Sequence, residues 1–211
     1  MRYFLIPIVA SAIGFAQFQY SINPITTNIK QRMINGGSYR EGCPISLNNL
    51  RYLKMSYIGF DNREHIGEMI VNRSVAKEVV AIFRELYKAK YPIRKMRLVS
   101  DYGGSDFASI EADNTSAFNC RPVAGTNRWS KHSYGKAIDI NPLENPYVSK
   151  SGHTSHKGSL QFLKRVRKGS SATQRALILR NDFIVKLFQS YGWRWGGDFN
   201  CCKDWQHFDK R

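Results

Sequence analysis

Apolar residues recur along this chain in two different periods, and the change from one to the other marks its elements. A two-residue alternation over residues 52–60 and 67–71, with polar residues 61–64 between, predicts a β-hairpin. From Ser74 the period lengthens: Val75, Val79, Ile82, Phe83 and Leu86 share one face of a core-facing helix that Pro92 stops. A second helix is predicted near the end, with Asn181 as N-cap, Ile184, Leu187, Phe188 and Tyr191 as its apolar face, and Gly192 at its close. Between these lie short strands at 96–99, 116–119 and 137–140, a glycine-rich turn at 101–104 and a short helix over 105–111. Residues 17 to about 50 read as irregular, punctuated by Pro24, Gly36, Gly37 and Pro44. Residues 143–171, rich in Gly, Ser, Lys and Pro, read as a long surface excursion, and the aromatic segment 193–208 as a pair of strands. Helices interleaved with short strands argue for an α+β domain.

The N-terminus changes the picture. Met1 and Arg2 precede an apolar stretch over 3–15, with Gly14 and Ala16 as small residues before a cut after Ala16, the pattern of a signal peptide. A buried helix or membrane anchor fits less well, because the run contains Pro7 and is shorter than roughly 18 residues. The expected organisation is therefore a signal peptide at 1–16, an N-terminal extension with the first strand at 17–66, and the main domain at 67–211. The whole chain of 211 residues, 42% hydrophobic, suffices for one sizeable core. No later stretch is apolar enough to span a bilayer, so an exported protein of the periplasm or extracellular space is expected.

A net charge of +16 favours an anionic partner. Nucleic acid is the usual candidate, but no nucleic-acid motif accompanies the charge. An exported chain meets anionic cell-wall polymers, lipopolysaccharide and phospholipid head groups first, and a basic surface raises the local concentration of such material. Four cysteines, Cys43, Cys120, Cys201 and Cys202, allow three fully paired connectivities. A bond from Cys43 to Cys201 or Cys202 would tie the two ends of the chain, whereas a Cys201–Cys202 bond would need a strained ring.

Metal-ligand side chains concentrate in two segments. In the first, His132 lies seven positions before Asp139. On one straight strand the two would face opposite ways, and a bend at Gly135 would let them converge. Asp139 projects from one face of its strand while Ile138 and Ile140 enter the core. The second segment, Asp204-Trp205-Gln206-His207-Phe208, offers a third ligand in His207. A catalytic zinc usually takes three protein ligands and leaves one position open. Asp204, three residues before His207, could sit beside the ion without binding it and take a proton from a water the metal acidifies.

This arrangement resembles the VanY-type zinc D-alanyl-D-alanine carboxypeptidases and the related phage L-alanyl-D-glutamate endopeptidases. Their Ser-x-His-x-x-Gly-x-Ala-x-Asp segment is matched at Ser130, His132, Gly135, Ala137 and Asp139, and their acidic residue three before a final histidine at Asp204 and His207. The resemblance extends to 114–121 and 192–198, covering roughly Gly67 to the end. It implies one Zn2+ at His132, Asp139 and His207, with Asp204 as general base. It also implies a small antiparallel sheet with flanking helices, the α+β fold shared by the DD-peptidases and the Hedgehog signalling domain, and peptidoglycan peptides as substrate. Many members carry an arginine after a Gly-Tyr pair before the metal site, where this chain reads Asp101-Tyr102-Gly103. That role is transferred to Arg121, whose guanidinium could stabilise an oxyanion or grip a carboxylate. Ser130 and Trp205 join Arg121 as candidate substrate contacts.

Other readings stand beside this one. His153 and His156 lie in the polar excursion and read as surface residues. Cys201 and Cys202 with His207 could form a thiolate zinc site, which would leave the 132–139 segment unexplained. Trp129, Trp193, Trp195 and Trp205 read as core or pocket wall, with sugar stacking as the alternative. D-Ala removal, L-Ala-D-Glu cleavage and a zinc-containing wall-binding module without turnover all remain open at this level.

Overall fold

The computed structural model describes residues 17–211, so the signal read over 1–16 lies outside the described residues. The stretch expected to be irregular carries strand β1, Tyr20–Asn23, and helix α1, Thr27–Asn35. The periodic signal for α1 is thin because it buries only Met33, but its start is written in the sequence: Thr26 caps it by accepting from the Ile29 amide. The hairpin forms as expected and is longer at its outer ends, with β2, Leu50–Ile58, antiparallel to β3, Glu64–Asn72. β1 pairs along the other edge of β2. The boundary drawn between 66 and 67 thus falls inside β3.

This hairpin separates two cores, which is why both its faces are apolar. Alternate side chains Leu53, Met55, Met69 and Val71 join a large core with helix α2, Ala76–Lys88. The intervening Leu50, Tyr52 and Ile70 join a smaller one with Met33, Ile45, Leu98 and Phe118. Two ties close the smaller core. Cys43 is bonded to Cys120, which selects one pairing from those the sequence left open and leaves Cys201 and Cys202 as free thiols. Arg32 of α1 grips Glu68 at 2.7 and 2.8 Å and Asp101 at 2.7 and 2.8 Å, a doubly bidentate clasp.

The central strands are shorter than expected. β4 is Lys95–Met96, followed by a 3-10 turn at Val99–Tyr102, helix α3 at Asp106–Glu111, and β5, Asn114–Thr115, which runs parallel to β4. Residues 116–119 form no ladder because their amides go to several partners. Ser116 donates to Asp139, Phe118 to Ile70 and Asn119 to His132. The segment thereby crosses between the hairpin and the site.

The rest of the chain builds the site's frame. It comprises β6, Ala137–Asp139; β7, Tyr147–Val148; α4, Ala172–Ala176; α5, Phe183–Ser190; β8, Arg194–Trp195; β9, Lys203–Asp204; and β10, His207–Asp209. β6, β10 and β8 form an antiparallel sheet in that order, and β7 pairs with β9. Phe208 on β10 stacks on Phe188 of α5 with ring centres 4.0 Å apart, locking the helix to the sheet. The N-cap of α5 is Asp182, one residue later than Asn181. Small antiparallel sheets with packed helices make this an α+β protein, and no helix among the described residues is long and apolar enough to cross a membrane.

The 143–171 excursion differs from the surface loop expected. Glu144, Asn145, His156, Ser159 and Phe162 are buried. Polar side chains binding backbone hold it down, and these leave no apolar period to read. Asn145 donates to the carbonyls of Ile140, Asn141 and Ala176 and accepts from the Ile178 amide and the Arg165 guanidinium. Burial, reinforced by neighbouring Asp113, pushes the Glu144 carboxyl up to about 9, and Arg94 at 3.6 Å offsets only part of this. A folded value above the unfolded 4.5 stabilises the fold at low pH, and that contribution drains away as pH rises from about 4.5 through about 9. Thermal unfolding across that window is expected to show Tm falling with pH, with a shallower slope for Glu144→Gln.

Candidate metal centre

The site is assembled by a turn and two paired strands. Ser130 caps the 3-10 turn Lys131–Tyr134, its hydroxyl accepting from the His132 amide at 3.3 Å. Gly135 ends the turn with φ +63°. A Cβ there would come within 2.5 Å of the Asn72 backbone nitrogen, which donates to the Gly135 carbonyl. The bend inferred at this position is therefore a close docking of the turn on the end of β3. Gly135→Ala is expected to destabilise the protein by at least the ~1–2 kcal/mol of a left-handed non-glycine residue, measurable by urea unfolding.

Beyond the bend, Asp139 closes β6 and lies directly across the ladder from His207, which opens β10. Cross-strand partners share a face, so the two side chains meet, and His132 reaches them from the turn. His132 Nε2 is 3.1 Å from Asp139 Oδ2 and 3.3 Å from His207 Nδ1, and His207 Nδ1 is 2.9 Å from Asp139 Oδ1. One donor atom from each of the three lies within 4.8 Å of the others.

The hydrogen bonds on the far side of each imidazole decide which nitrogens face inward. His132 Nδ1 lies 2.5 Å from the Ala117 carbonyl, so it carries a proton and Nε2 is the nitrogen that faces the cluster. His207 Nε2 lies 3.5 Å from Asp209 Oδ2, and Arg194 holds that carboxylate with two bonds of 2.8 Å. Its Nδ1 faces inward, 2.9 Å from Asp139 Oδ1, the position from which it could bind a cation once deprotonated. Donors about 2.0–2.2 Å from a tetrahedral zinc stand roughly 3.3–3.6 Å from one another, close to the separations here. Two imidazole nitrogens and a carboxylate converging on one point are a donor set that fits a zinc ion once the inward ring nitrogens give up their protons.

Charge in the site is tightly balanced. Burial works to raise the Asp139 carboxyl, but His132 and His207 outweigh it and hold Asp139 well below the usual carboxylate range. Burial likewise works to lower His207, and bonds to Asp139 and Asp209 overcome it, pushing the imidazole up to about 10. Asp204 goes the other way: burial pushes it up to about 6, with His207 opposing and Asp139 reinforcing. Its Oδ1 is shielded from solvent and has no hydrogen-bond partner among the described residues. Gly196 lets it sit there, since a Cβ at 196 would come within 2.4 Å of the Asp204 carbonyl. A half-buried carboxyl with a shielded, unpartnered oxygen, near neutrality in its affinity for a proton, can accept one from a neighbouring water and return it.

The expected substrate contacts fall differently. Ser130 is buried and committed to capping the His132 turn, so its visible work is positioning. Arg121 is bound through its backbone to that turn, its carbonyl accepting from Ser130 and Ser133, but its guanidinium pairs with Asp106 of α3 at 2.8 Å. The Trp205 ring lies under the Arg165 guanidinium at 4.6 Å and lines a cleft with Ile178, Arg180, Trp195 and Lys203. His153 is exposed as expected, whereas His156 is buried, stacked on Phe107 and bonded to Glu111 at 2.6 Å. Asp209 escaped the sequence reading, although its place two residues after His207 on one strand puts it on the same face. Phe199, with its ring centre 6.1 Å from that of His207, carried no signal at all.

No curated protein and no solved structure matches this chain. A family match does exist over part of it, beginning later than the resemblance traced from Gly67 and taking in His132, Asp139, Asp204 and His207 but not Arg121. Residues 124–210, the segment that builds the cluster, match the model of the D-alanyl-D-alanine carboxypeptidase family, a family of peptidases.

Proposed function

We infer that this protein is an exported zinc peptidase that removes the terminal D-alanine from peptidoglycan stem peptides. One observation carries the reading: the segment matching a D-alanyl-D-alanine carboxypeptidase family brings two imidazoles and a carboxylate to one point, near a half-buried acid with a shielded, unpartnered oxygen. His132, Asp139 and His207 would hold the ion. A zinc ion bound there supplies Lewis acidity, lowering the pKa of a coordinated water to roughly 7 and polarising a carbonyl. Asp204 takes the proton of the attacking water and delivers it to the departing amine. The Ala117 carbonyl and Asp209 would keep the remaining proton of each imidazole on the nitrogen away from the ion, once binding displaces the proton that faces it. Arg121, next to the His132 turn, meets the substrate's carboxylate or the developing oxyanion, exchanging its bond to Asp106 for one to the substrate.

The N-terminal pattern supports export, and the +16 charge suits an enzyme working among anionic wall polymers. The likeness to the Hedgehog-type DD-peptidase fold belongs to the same reading. Digestion of defined muropeptides followed by mass analysis tests it. Loss of a terminal D-Ala is expected. Cleavage between L-Ala and D-Glu would make it an endopeptidase, and no cleavage with zinc bound would make it a binding module.

A further inference from the structure

The chemistry left unused lies in the turn that leads into β9. Cys201 and Cys202 are the two cysteines outside the Cys43–Cys120 bond, and their sulfurs stand 2.8 Å apart. Cys201 is exposed, while Cys202 is half-buried with its thiol in hydrogen-bonding reach of the Tyr147 hydroxyl on β7. The turn around them is closed by its own bonds. The Phe199 amide donates to the Gly196 carbonyl at 3.1 Å, and the Lys203 ammonium to the Phe199 carbonyl at 2.7 Å. A disulfide needs sulfurs about 2.05 Å apart, so less than about 1 Å of approach separates this pair from bonding.

The two cysteine pairs differ in the strain a bond would carry. Unstrained disulfides span Cα atoms about 4.4–6.8 Å apart, and Cys43–Cys120 at 5.9 Å lies well inside that range. Adjacent residues are fixed near 3.8 Å by a trans peptide, below it. Strained, exposed disulfides are the ones that reduce readily. Cys201 is exposed and so open to a small-molecule disulfide.

We propose that Cys201 and Cys202 form a reversible oxidation site, a vicinal dithiol that closes to a disulfide and reopens under milder reduction than Cys43–Cys120. The co-reactant is a small-molecule disulfide. The Cys201 thiolate attacks one of its sulfurs, forming a mixed disulfide and expelling one thiolate. The Cys202 thiolate then attacks the Cys201 sulfur and expels the second. Two cysteine thiols are oxidised to one disulfide, and the small disulfide is reduced to two thiols. Opening is the reverse. Because Asp204 lies two residues beyond Cys202, both steps occur in the segment that presents it to the cluster.

The purified chain is equilibrated in glutathione buffers of graded reduced-to-oxidised ratio, quenched by alkylation, and each cysteine is read by peptide mass spectrometry. While Cys43–Cys120 stays fully bonded, the peptide carrying Cys201 and Cys202 is expected to pass from doubly alkylated to a form lacking two hydrogens as the buffer becomes oxidising. Cys201→Ser is expected to convert that response into a glutathione adduct on Cys202. The proposal fails if the peptide stays alkylated or singly glutathionylated throughout, if these cysteines join separate chains, or if their bond resists reduction as well as Cys43–Cys120 does.

Discussion

Asp204→Asn is expected to lower kcat/KM on a D-Ala-D-Ala peptide by ~10²–10⁴-fold, the usual contribution of a positioned general base, while leaving zinc content unchanged. The amide keeps the shape of the carboxyl but cannot take a proton, and Asp204 is outside the group whose donors converge. The loss should therefore fall on kcat rather than KM. Steady-state kinetics and metal analysis on the same preparation check both halves. Activity within a few-fold of the parent would assign the proton transfer elsewhere; loss of zinc together with activity would make Asp204 a ligand.

His132→Ala is expected to do the opposite, abolishing zinc binding and hydrolysis together. Removing a single partner behind a ligand commonly costs ~10–100-fold in metal affinity, so removing a ligand should cost more, and Asp209→Asn should give that intermediate loss. A ligand bound by the folded state alone stabilises it by about 2.7 kcal/mol at a hundredfold excess over Kd. Added zinc should therefore raise the Tm of the parent and not that of His132→Ala. Isothermal titration and thermal unfolding with and without zinc read both effects. A variant that retains stoichiometric zinc would remove His132 from the centre.

That His132, Asp139 and His207 meet was legible in the sequence because each lies in a short motif that the resemblance joins, although His207 is distant from the other two in the chain. Gly135 announces the bend that turns His132 toward Asp139, and strand alternation places His207 on the inward face. The hairpin and α2 were legible because their apolar periods are long and regular. What could not be read depends on contacts distant in sequence. Residues 116–119 look like a strand but spend their amides on the hairpin and the His132 turn. The 143–171 segment lacks an apolar period because Asn145 and Arg165 hold it through backbone carbonyls. His156 could be seen as buried only once α3 brought Phe107 and Glu111 to it. The role transferred to Arg121 rests on the resemblance, and nothing in the local sequence signals the pairing of its guanidinium with Asp106, fifteen residues earlier in the chain.

X-ray absorption at the zinc edge, on protein purified without chelators, tests the central claim most directly. One zinc per chain surrounded by nitrogen and oxygen at about 2.0–2.2 Å is the expected result. A sulfur shell near 2.3 Å would move the ion to Cys201 and Cys202 and contradict the site built from His132, Asp139 and His207.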